Sequence, residues 1–300
     1  MIQVLILNEE KYAKRLYLGN NDDIKSISEK IRYITRYHLY ALKYDDNRNY
    51  HDTVTWMNEN HSNFDENCYS KLIADAIKGA HKFPFYNIDN IPITKSELEN
   101  IVSLNNLRAE KVLFVLLCMA KQQAISKCFS NGLVKYSITT LCKMARISVP
   151  ASDREYILHS IVRTGLLSYP KKNNTQCLFV NFIDDGEIVM NLNEADCKEL
   201  AYTYLNWKNN YSGYTRCECC GRLIKVFKNK IKKFCESCST LIGDVPDGKN
   251  VILCDDCGRP VYISMFDNET CRCESCNYVY QKERNAIKNK AYRHRKKLMS

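Results

Sequence analysis

Isoleucines recur at helical spacing near the start of the chain. Ile24, Ile27, Ile31 and Ile34 are separated by three, four and three residues. This spacing places their side chains on one face of a helix. Gly19-Asn20-Asn21 would end an earlier helix, and Asn21 or Asp22 would cap this one. Two further helical stretches follow near 51–60 and 66–80. The pattern predicts a helical domain over residues 1–90.

A stripe of tyrosines runs beside these isoleucines, at Tyr33, Tyr37, Tyr40 and Tyr44. Exposed tyrosines can stack on nucleic-acid bases. Large side chains at helical spacing are more typical of a core. We therefore expect the stripe to pack inside the N-terminal domain, where no chemistry is apparent.

Residues 91–209 carry the hydrophobic pattern of several helices. Thr94 and Glu97 have the spacing of a capping box and predict a helix start. A long buried helix is expected over 108–126, because its apolar run at 112–120 is dense. Two shorter helices, at 137–145 and 150–164, are separated by a turn at 146–148.

Three strand-like runs follow those helices, at 166–169, 177–183 and 187–192. Asp184-Asp185-Gly186 has the composition of a hairpin turn and predicts that the last two runs pair with each other. Another helix is expected over 194–208. Two helices joined by a turn and followed by a β-hairpin are the plan of a winged helix. The sequence therefore predicts a winged-helix-like domain over 91–209.

The second helix of such a pair can enter the major groove of DNA. Its outward side chains would be Ser152, Arg154, Glu155, His159 and Arg163, and the wing Lys171-Lys172-Asn173-Asn174 would contact phosphate. Asp153 and Glu155 offset the two arginines, and many winged helices bind protein instead. Whether this helix contacts DNA or a protein stays open.

The positive charge lies mostly in the last third of the chain. The whole sequence has a net charge of +10. Residues 201–300 contribute 19 Lys+Arg against 10 Asp+Glu, whereas residues 1–200 are nearly balanced, with 25 against 24. Such asymmetry is typical of a part that binds a polyanion, and the alternative is a solubilising tail.

Ten of the sixteen cysteines lie between 217 and 276, eight of them in C-x2-C pairs. The first and second pairs could surround one metal ion tetrahedrally, and the third and fourth pairs could surround another, as in a zinc ribbon. Cys-Glu-Cys-Cys-Gly-Arg also reappears 37 residues later as Cys-Asp-Asp-Cys-Gly-Arg. We predict tandem zinc ribbons over 210–280 and two structural Zn²⁺ ions, with these ligands: Cys217, Cys220, Cys235, Cys238, Cys254, Cys257, Cys273 and Cys276.

Two details of the cysteine region stay open. The pairs could be exchanged between the two sites in a cross-braced arrangement, and iron is an alternative to zinc. Cys219 and Cys271 are surplus to both sets. The six cysteines outside the region lie in apolar or amphipathic stretches and are expected to be buried, at Cys68, Cys118, Cys128, Cys142, Cys177 and Cys197.

Basic side chains surround and follow the cysteine pairs. One group lies between Cys220 and Cys235, at Arg222, Lys225, Lys228, Lys230, Lys232 and Lys233. A second lies in a basic tail over 281–300, which includes Lys288, Lys290, Arg293, Arg295, Lys296 and Lys297. These groups could neutralise several phosphates, which favours nucleic acid as the partner. The tail lacks the wide apolar face that a membrane-surface helix needs.

The histidines argue against catalysis. None lies between 217 and 276, so the cysteine sites would be closed structural sites. The six histidines of the chain form no motif with a carboxylate or nucleophile, and no phosphate-binding glycine loop is present. No signal peptide or membrane span is apparent. We expect a cytoplasmic protein that is not an enzyme and does not bind membranes.

Several segments resemble a group of mostly uncharacterised proteins from phages and prophages of low-GC Gram-positive bacteria, which have a central winged-helix-like region and a C-terminal four-cysteine ribbon. There are three similar segments: one runs from Ile91-Pro-Ile-Thr-Lys-Ser-Glu-Leu-Glu through Leu107-Arg-Ala-Glu-Lys, the second is Val180-Asn-Phe-Ile-Asp-Asp, and the third leads from Tyr204-Leu-Asn-Trp-Lys into the first cysteine ribbon. The second ribbon, at 254–276, departs from that group. The resemblance implies the cytoplasm of a bacterial host cell.

The sequence as a whole predicts a mainly α protein with small β sheets: a helical N-terminal region, a central winged helix, tandem zinc ribbons and a basic tail. Its predicted function is that of a zinc-containing nucleic-acid-binding protein, DNA being favoured over RNA, in transcription regulation or in replication of a phage or mobile element. The alternative is an adaptor or inhibitor that binds a host protein, such as a polymerase or a defence complex.

Overall fold

The protein is mainly helical with small β-sheets and two cysteine clusters near its C-terminal end, so the predicted fold class is confirmed. The computed structural model describes residues 5–19, 26–62, 64–126, 132–170, 177–226, 233–242, 249–264, 272–274, 276–278, 280–281 and 284–285. No helix in these ranges is long and apolar enough to cross a membrane.

Four helices form the N-terminal part: α1 (Glu9–Tyr17), α2 (Ile27–Tyr40), α3 (Asp46–Asn60) and α4 (Glu66–Lys82). Ile31 and Ile34 of α2 are fully buried, as the isoleucine spacing predicts, and they pack with Trp56 and Ile73. Ile24 and the expected caps Asn21 and Asp22 lie outside the described residues.

The tyrosine stripe faces the interior of this helical part. Tyr37 is buried, and its ring lies 5.0 Å from the ring of Tyr17. The hydroxyl of Tyr40 donates to the carbonyl oxygen of Ala80 at 2.7 Å. These contacts make the stripe part of the packing between α2 and its neighbours.

The described residues of the central part form helices and strands in the order β1 (Ile91–Thr94), α5 (Lys95–Val102), α6 (Leu107–Ile125), β2 (Leu133–Lys135), α7 (Ile138–Met144), α8 (Ala151–Arg163), β3 (Leu167–Ser168), β4 (Cys177–Val180), β5 (Ile188–Leu192), α9 (Glu194–Cys197) and α10 (Leu200–Lys208). Helix α6 runs through the core and is buried almost all round. The Thr94–Glu97 capping box opens α5 as predicted.

The predicted hairpin between 177–183 and 187–192 is wrong. Strand β4 is the middle strand of a three-stranded sheet in the order β2-β4-β3, and β5 pairs instead with β1. The Asp184 carboxylate accepts hydrogen bonds from the hydroxyls of Thr94, at 2.6 Å, and of Ser96. These bonds hold the Asp-Asp-Gly turn against the start of α5, and the strand that follows, β5, pairs with β1 and not with β4.

The predicted helix over 194–208 is interrupted. Helix α9 ends at Cys197, and Glu199 has φ −146° and ψ 57°, outside the helical region, before α10 begins. The Glu199 carboxylate is bound by the guanidinium of Arg146 through bonds of 2.7 and 2.8 Å. This tertiary contact prevails over the helical periodicity of the segment.

The C-terminal part consists of short elements: β6 (Tyr214–Arg216), β7 (Leu223–Lys225), α11 (Glu236–Ile242), β8 (Lys249–Leu253) and β9 (Pro260–Ser264). β6 pairs with β7, and β8 pairs with β9, both antiparallel. Each hairpin carries the first C-x2-C pair of one cysteine set at its turn. The residues expected to form the basic tail lie almost entirely outside the described ranges. The domain boundaries stay predictions.

Candidate metal centres

The structure brings each predicted set of four cysteines together. Cys217, Cys220, Cys235 and Cys238 form one group, and Cys254, Cys257, Cys273 and Cys276 form the other. Within each group every sulfur lies within 4.8 Å of the other three. The pairs are therefore combined in tandem and are not exchanged between the sites.

The turns that present the first pair of each set are copies of each other. The amide of Gly221 donates to the carbonyl of Cys217 at 2.9 Å, and the amide of Gly258 donates to that of Cys254 at 2.8 Å. Both glycines have positive φ, at 70° and 71°, a conformation that glycine adopts without a Cβ clash. The repeated glycine therefore serves the same tight turn in both halves.

The second pair of each set also repeats its backbone geometry. The amide of Ser239 donates to the carbonyl of Cys235, and the amide of Asn277 donates to that of Cys273, both at 2.8 Å. These two donors are 38 residues apart, the same offset as the cysteines they serve. The internal repeat seen in the sequence is thus a repeat of structure.

Backbone amides favour the thiolate form of the first cysteine in each set. Burial raises the pKa of Cys254, but hydrogen bonds from the backbone of Cys257, Cys273 and Asp256 outweigh it and bring the pKa to about 7. At the other centre the amide of Cys235 donates to the sulfur of Cys217 at 3.3 Å. A deprotonated sulfur is the form that binds a metal ion.

The cysteines outside the two sets have a different environment. Cys118, Cys142, Cys177 and Cys197 are buried, as predicted. Desolvation raises the pKa of Cys118, Cys142 and Cys197, so these thiols stay protonated. Their surroundings fit small apolar side chains.

Cys68 departs from the prediction that the scattered cysteines are buried. It is exposed near the start of α4, and its thiol donates to the carboxylate of Asp65 at 3.3 Å. The prediction failed because cysteine occurs on both the exposed and the buried face of an amphipathic helix, so the residue type alone does not show which face Cys68 lies on. Cys128 lies outside the described residues.

The donor sets fit a closed structural metal site. Four sulfurs satisfy the four positions of a tetrahedral ion and leave none for a substrate or water. The two groups could therefore hold two metal ions that stabilise the C-terminal part. Cys219 is partly buried against the first group but is not one of its four members, and Cys271 lies outside the described residues.

The first centre is attached to the central part by ion pairs. Arg216 binds Asp196 at 2.7 Å, and Arg222 lies 3.5 Å from the buried carboxylate of Glu199. The ammonium of Lys198 donates to the carbonyl of Cys220 at 3.4 Å. These contacts join the cysteine turn to the segment between α9 and α10.

The second centre is attached to the first helix of the chain. Asp256, between two of the cysteines, accepts from Lys14 of α1 and from Arg272, both at 2.7 Å. Leu18, just after α1, packs against the same cysteine cluster. Burial raises the pKa of Asp256, but the two cations outweigh it and lower the pKa below its usual value.

The basic residues predicted to contact nucleic acid differ in their exposure to solvent, and many of them lie outside the described residues. Lys225, Lys233, His159 and Arg163 are exposed. Arg154 is partly buried, and its Nε donates to the carbonyl of Val149 at 3.2 Å. Outside the described residues lie Lys171, Lys172, Lys228, Lys230, Lys232, Lys288, Lys290, Arg293, Arg295, Lys296 and Lys297.

Arg222 is the predicted contact whose surroundings fit a phosphate least. Its side chain is only 20% exposed, and its guanidinium is paired with Glu199. The acidic partners Asp196, Glu199 and Asp256 were not predicted as parts of the site. In the sequence these residues are marked only by their position, since each is an acidic residue that lies beside a cysteine pair or near the end of a helix.

Comparison with known proteins gives no further information about this arrangement. No protein-family model, curated protein or solved structure matches the chain.

We expect Cys235→Ser to reduce the metal content of the purified protein from about two ions per chain to about one, because a tetrahedral site loses a ligand while the other set is untouched. Elemental analysis by mass spectrometry measures this directly. Cys219→Ser is the matched control and should retain both ions. A content of two in Cys235→Ser would contradict the ligand set.

We expect Asp256→Asn to retain both ions but to loosen α1, because the amide no longer neutralises Lys14 and Arg272. The Lys14 side chain is 41% exposed, so solvent screening limits the loss to about 1 kcal/mol. Amide hydrogen exchange in α1 should become faster. Asp255→Asn, at the exposed neighbouring carboxylate, is the control, and equal exchange in the two variants would argue against the contact.

Proposed function

We propose that the protein is a zinc-containing nucleic-acid-binding protein, with DNA favoured over RNA, that acts in transcription regulation or in replication of a phage or mobile element. The observation that carries the proposal is the order of elements from α6 to β4. Helices α7 and α8 are joined by a short turn and followed by antiparallel β3 and β4, in a sheet ordered β2-β4-β3. Winged-helix domains have this order.

Helix α8 has the two faces that a recognition helix needs. Ile157, Leu158 and Ile161 are buried against the core. His159 and Arg163 lie on the exposed side, one turn apart, where they could reach base edges or phosphates in a groove. The connection between β3 and β4 contains Lys171-Lys172, at the position of a wing.

The cysteine centres would contribute a rigid basic surface. Zinc is the ion favoured by four thiolates in a closed tetrahedral site. Lys225 and Lys233 are exposed on the first centre. Arg222 is not part of the proposed contact surface because its side chain is mostly buried and lies against Glu199. The remaining basic residues of the loop and tail would add contacts that depend on charge and not on sequence.

A second candidate function is that of a protein-binding adaptor or inhibitor with a host polymerase or defence complex as partner. The observation in its favour is also on α8. Tyr156 is 71% exposed on this helix, and Asp153 and Glu155 balance the charge of Arg154 and Arg163. An exposed tyrosine on a nearly neutral face is typical of protein interfaces.

We expect Arg163→Gln to weaken binding to duplex DNA by roughly three- to tenfold and to reduce the slope of log affinity against log salt by about one, because one phosphate contact is removed. Fluorescence anisotropy between about 50 and 200 mM salt measures both. Arg32→Gln, at an exposed arginine of α2, is the matched control.

Two further arms complete the experiment. Single-stranded DNA and RNA of the same length test the preference for duplex DNA. Gln at Lys288, Lys290, Arg293 and Arg295 together should weaken binding to all three nucleic acids, because the tail contacts would be independent of sequence. If the protein binds none of the three nucleic acids at low salt, the proposal is contradicted and the adaptor function is favoured.

A further inference from the structure

An open cleft of about 500 Å³ lies on the central part, away from both cysteine centres. Its walls come from β1, the C-terminal turn of α6 and the segment between β4 and β5. Ligand-binding sites in proteins have volumes of this order. Neither the cysteine sites nor the α8 surface uses this cleft.

One wall of the cleft is aliphatic and open to solvent. Ile125 is 45% exposed and Ile188 is 54% exposed, values that are unusual for isoleucine. Ile183, Ala124 and Pro92 extend the same apolar surface. A hydrocarbon chain placed on this wall would remove apolar area from water.

The lining of the cleft also contains two carboxylates. They belong to Asp184 and Asp185. The hydroxyls of Ser96 and Thr94 and the amide of Gly186 donate to Asp184 and lower the pKa of its carboxyl, which therefore stays ionised near neutral pH. Asp185 is exposed beside it.

Among the described residues that line the cleft, Lys121 is the only base, and it is already paired. The ammonium of Lys121 is 2.7 Å from a carboxylate oxygen of Glu97 and 2.7 Å from the carbonyl oxygen of Pro92. Glu97 is fully buried, so this pair belongs to the floor of the cleft. The charge of Lys121 also lowers the pKa of Asp184, but with two aspartates against this one lysine the described lining keeps a net negative charge.

The end of α6 adds to this negative potential. The helix has 19 residues and points its C-terminal turn, with Ala124 and Ile125, into the cleft. Its last turn carries no basic side chain. The carbonyl groups at a helix C-terminus carry partial negative charge and favour a cation nearby.

We propose that this cleft binds an aliphatic ammonium group, with its hydrocarbon chain on Ile125, Ile183 and Ile188 and its charged end at Asp184 and Asp185. Charge complementarity selects the cation, since Asp184 and Asp185 make the described lining anionic. The apolar wall selects an alkyl chain over a small inorganic ion. The same chemistry is offered by a free polyamine and by a lysine side chain of a partner peptide.

The test is a titration of the full-length, metal-loaded protein with hexanediamine, observed by NMR of labelled isoleucine methyl groups. We expect saturable shifts of the methyls of Ile125, Ile183 and Ile188. Hexanol, which has the same chain and no charge, should bind much more weakly. Equal binding of hexanol, or no shift of these three methyls with the diamine, would overturn the proposal.

Two substitutions at exposed carboxylates make the test specific. Asp185→Asn should weaken diamine binding by roughly two- to fivefold, because one partly exposed ion pair is lost. Asp153→Asn, which removes the same charge from α8, should leave the affinity unchanged. If both variants bind the diamine as the unmodified protein does, the carboxylate end is not a binding site and the proposal fails.

A blocked tripeptide of leucine, lysine and leucine distinguishes the two sources of the ammonium. If the peptide displaces the diamine from the three isoleucine methyls, the cleft accepts lysine side chains of a partner. If the diamine binds and the peptide does not, the cleft accepts free amines. Each result supports the shared chemistry, whereas binding of either probe without shifts at these methyls contradicts it.

Discussion

Eight sulfur atoms gathered into two tight groups are the constraint on which the C-terminal third of the protein depends. Within each group all four sulfurs lie within 4.8 Å of one another. Two thiolates at such a separation repel each other by about 4 kcal/mol in a partly solvated site. A divalent cation at the centre converts this repulsion into attraction and supplies an apparent binding free energy of about 10–16 kcal/mol.

The rest of that region could not replace the metal. The core around the first set adds only Ile242 and Val251 as buried residues that are not cysteine, and the core around the second set adds none among the described residues. The paired hairpins are short, with three residues in each strand of the first and five in each strand of the second. We therefore expect the folding of this part to be coupled to metal binding.

Carboxylates connect these centres to the rest of the chain. Glu194 binds Lys11 and Arg15 of α1, Asp196 binds Arg216, and Glu199 is shared by Arg146 and Arg222. Three acidic residues within six positions thus join the first helix, the turn before α8 and the first cysteine centre. Because Asp256 also binds Lys14, α1 contacts both the central part and the second centre.

The parts that could be predicted from the sequence are those that depend on local spacing. The C-x2-C pairs, the Thr94–Glu97 capping box and the isoleucine face of α2 each follow from residues a few positions apart. The pairing of β5 with β1 could not be predicted, because it joins strands almost a hundred residues apart and β1 has no turn signal. The role of Arg222 was hidden for the same reason: its partner Glu199 is set by tertiary packing.

The most direct test of the account is X-ray absorption at the zinc edge of the purified protein. We expect two zinc ions per chain, each with about four sulfur ligands at about 2.3 Å. Each set would then be a closed site in which all four cysteines are ligands. A first shell with nitrogen or oxygen neighbours, or a protein that is fully folded without metal, would contradict it.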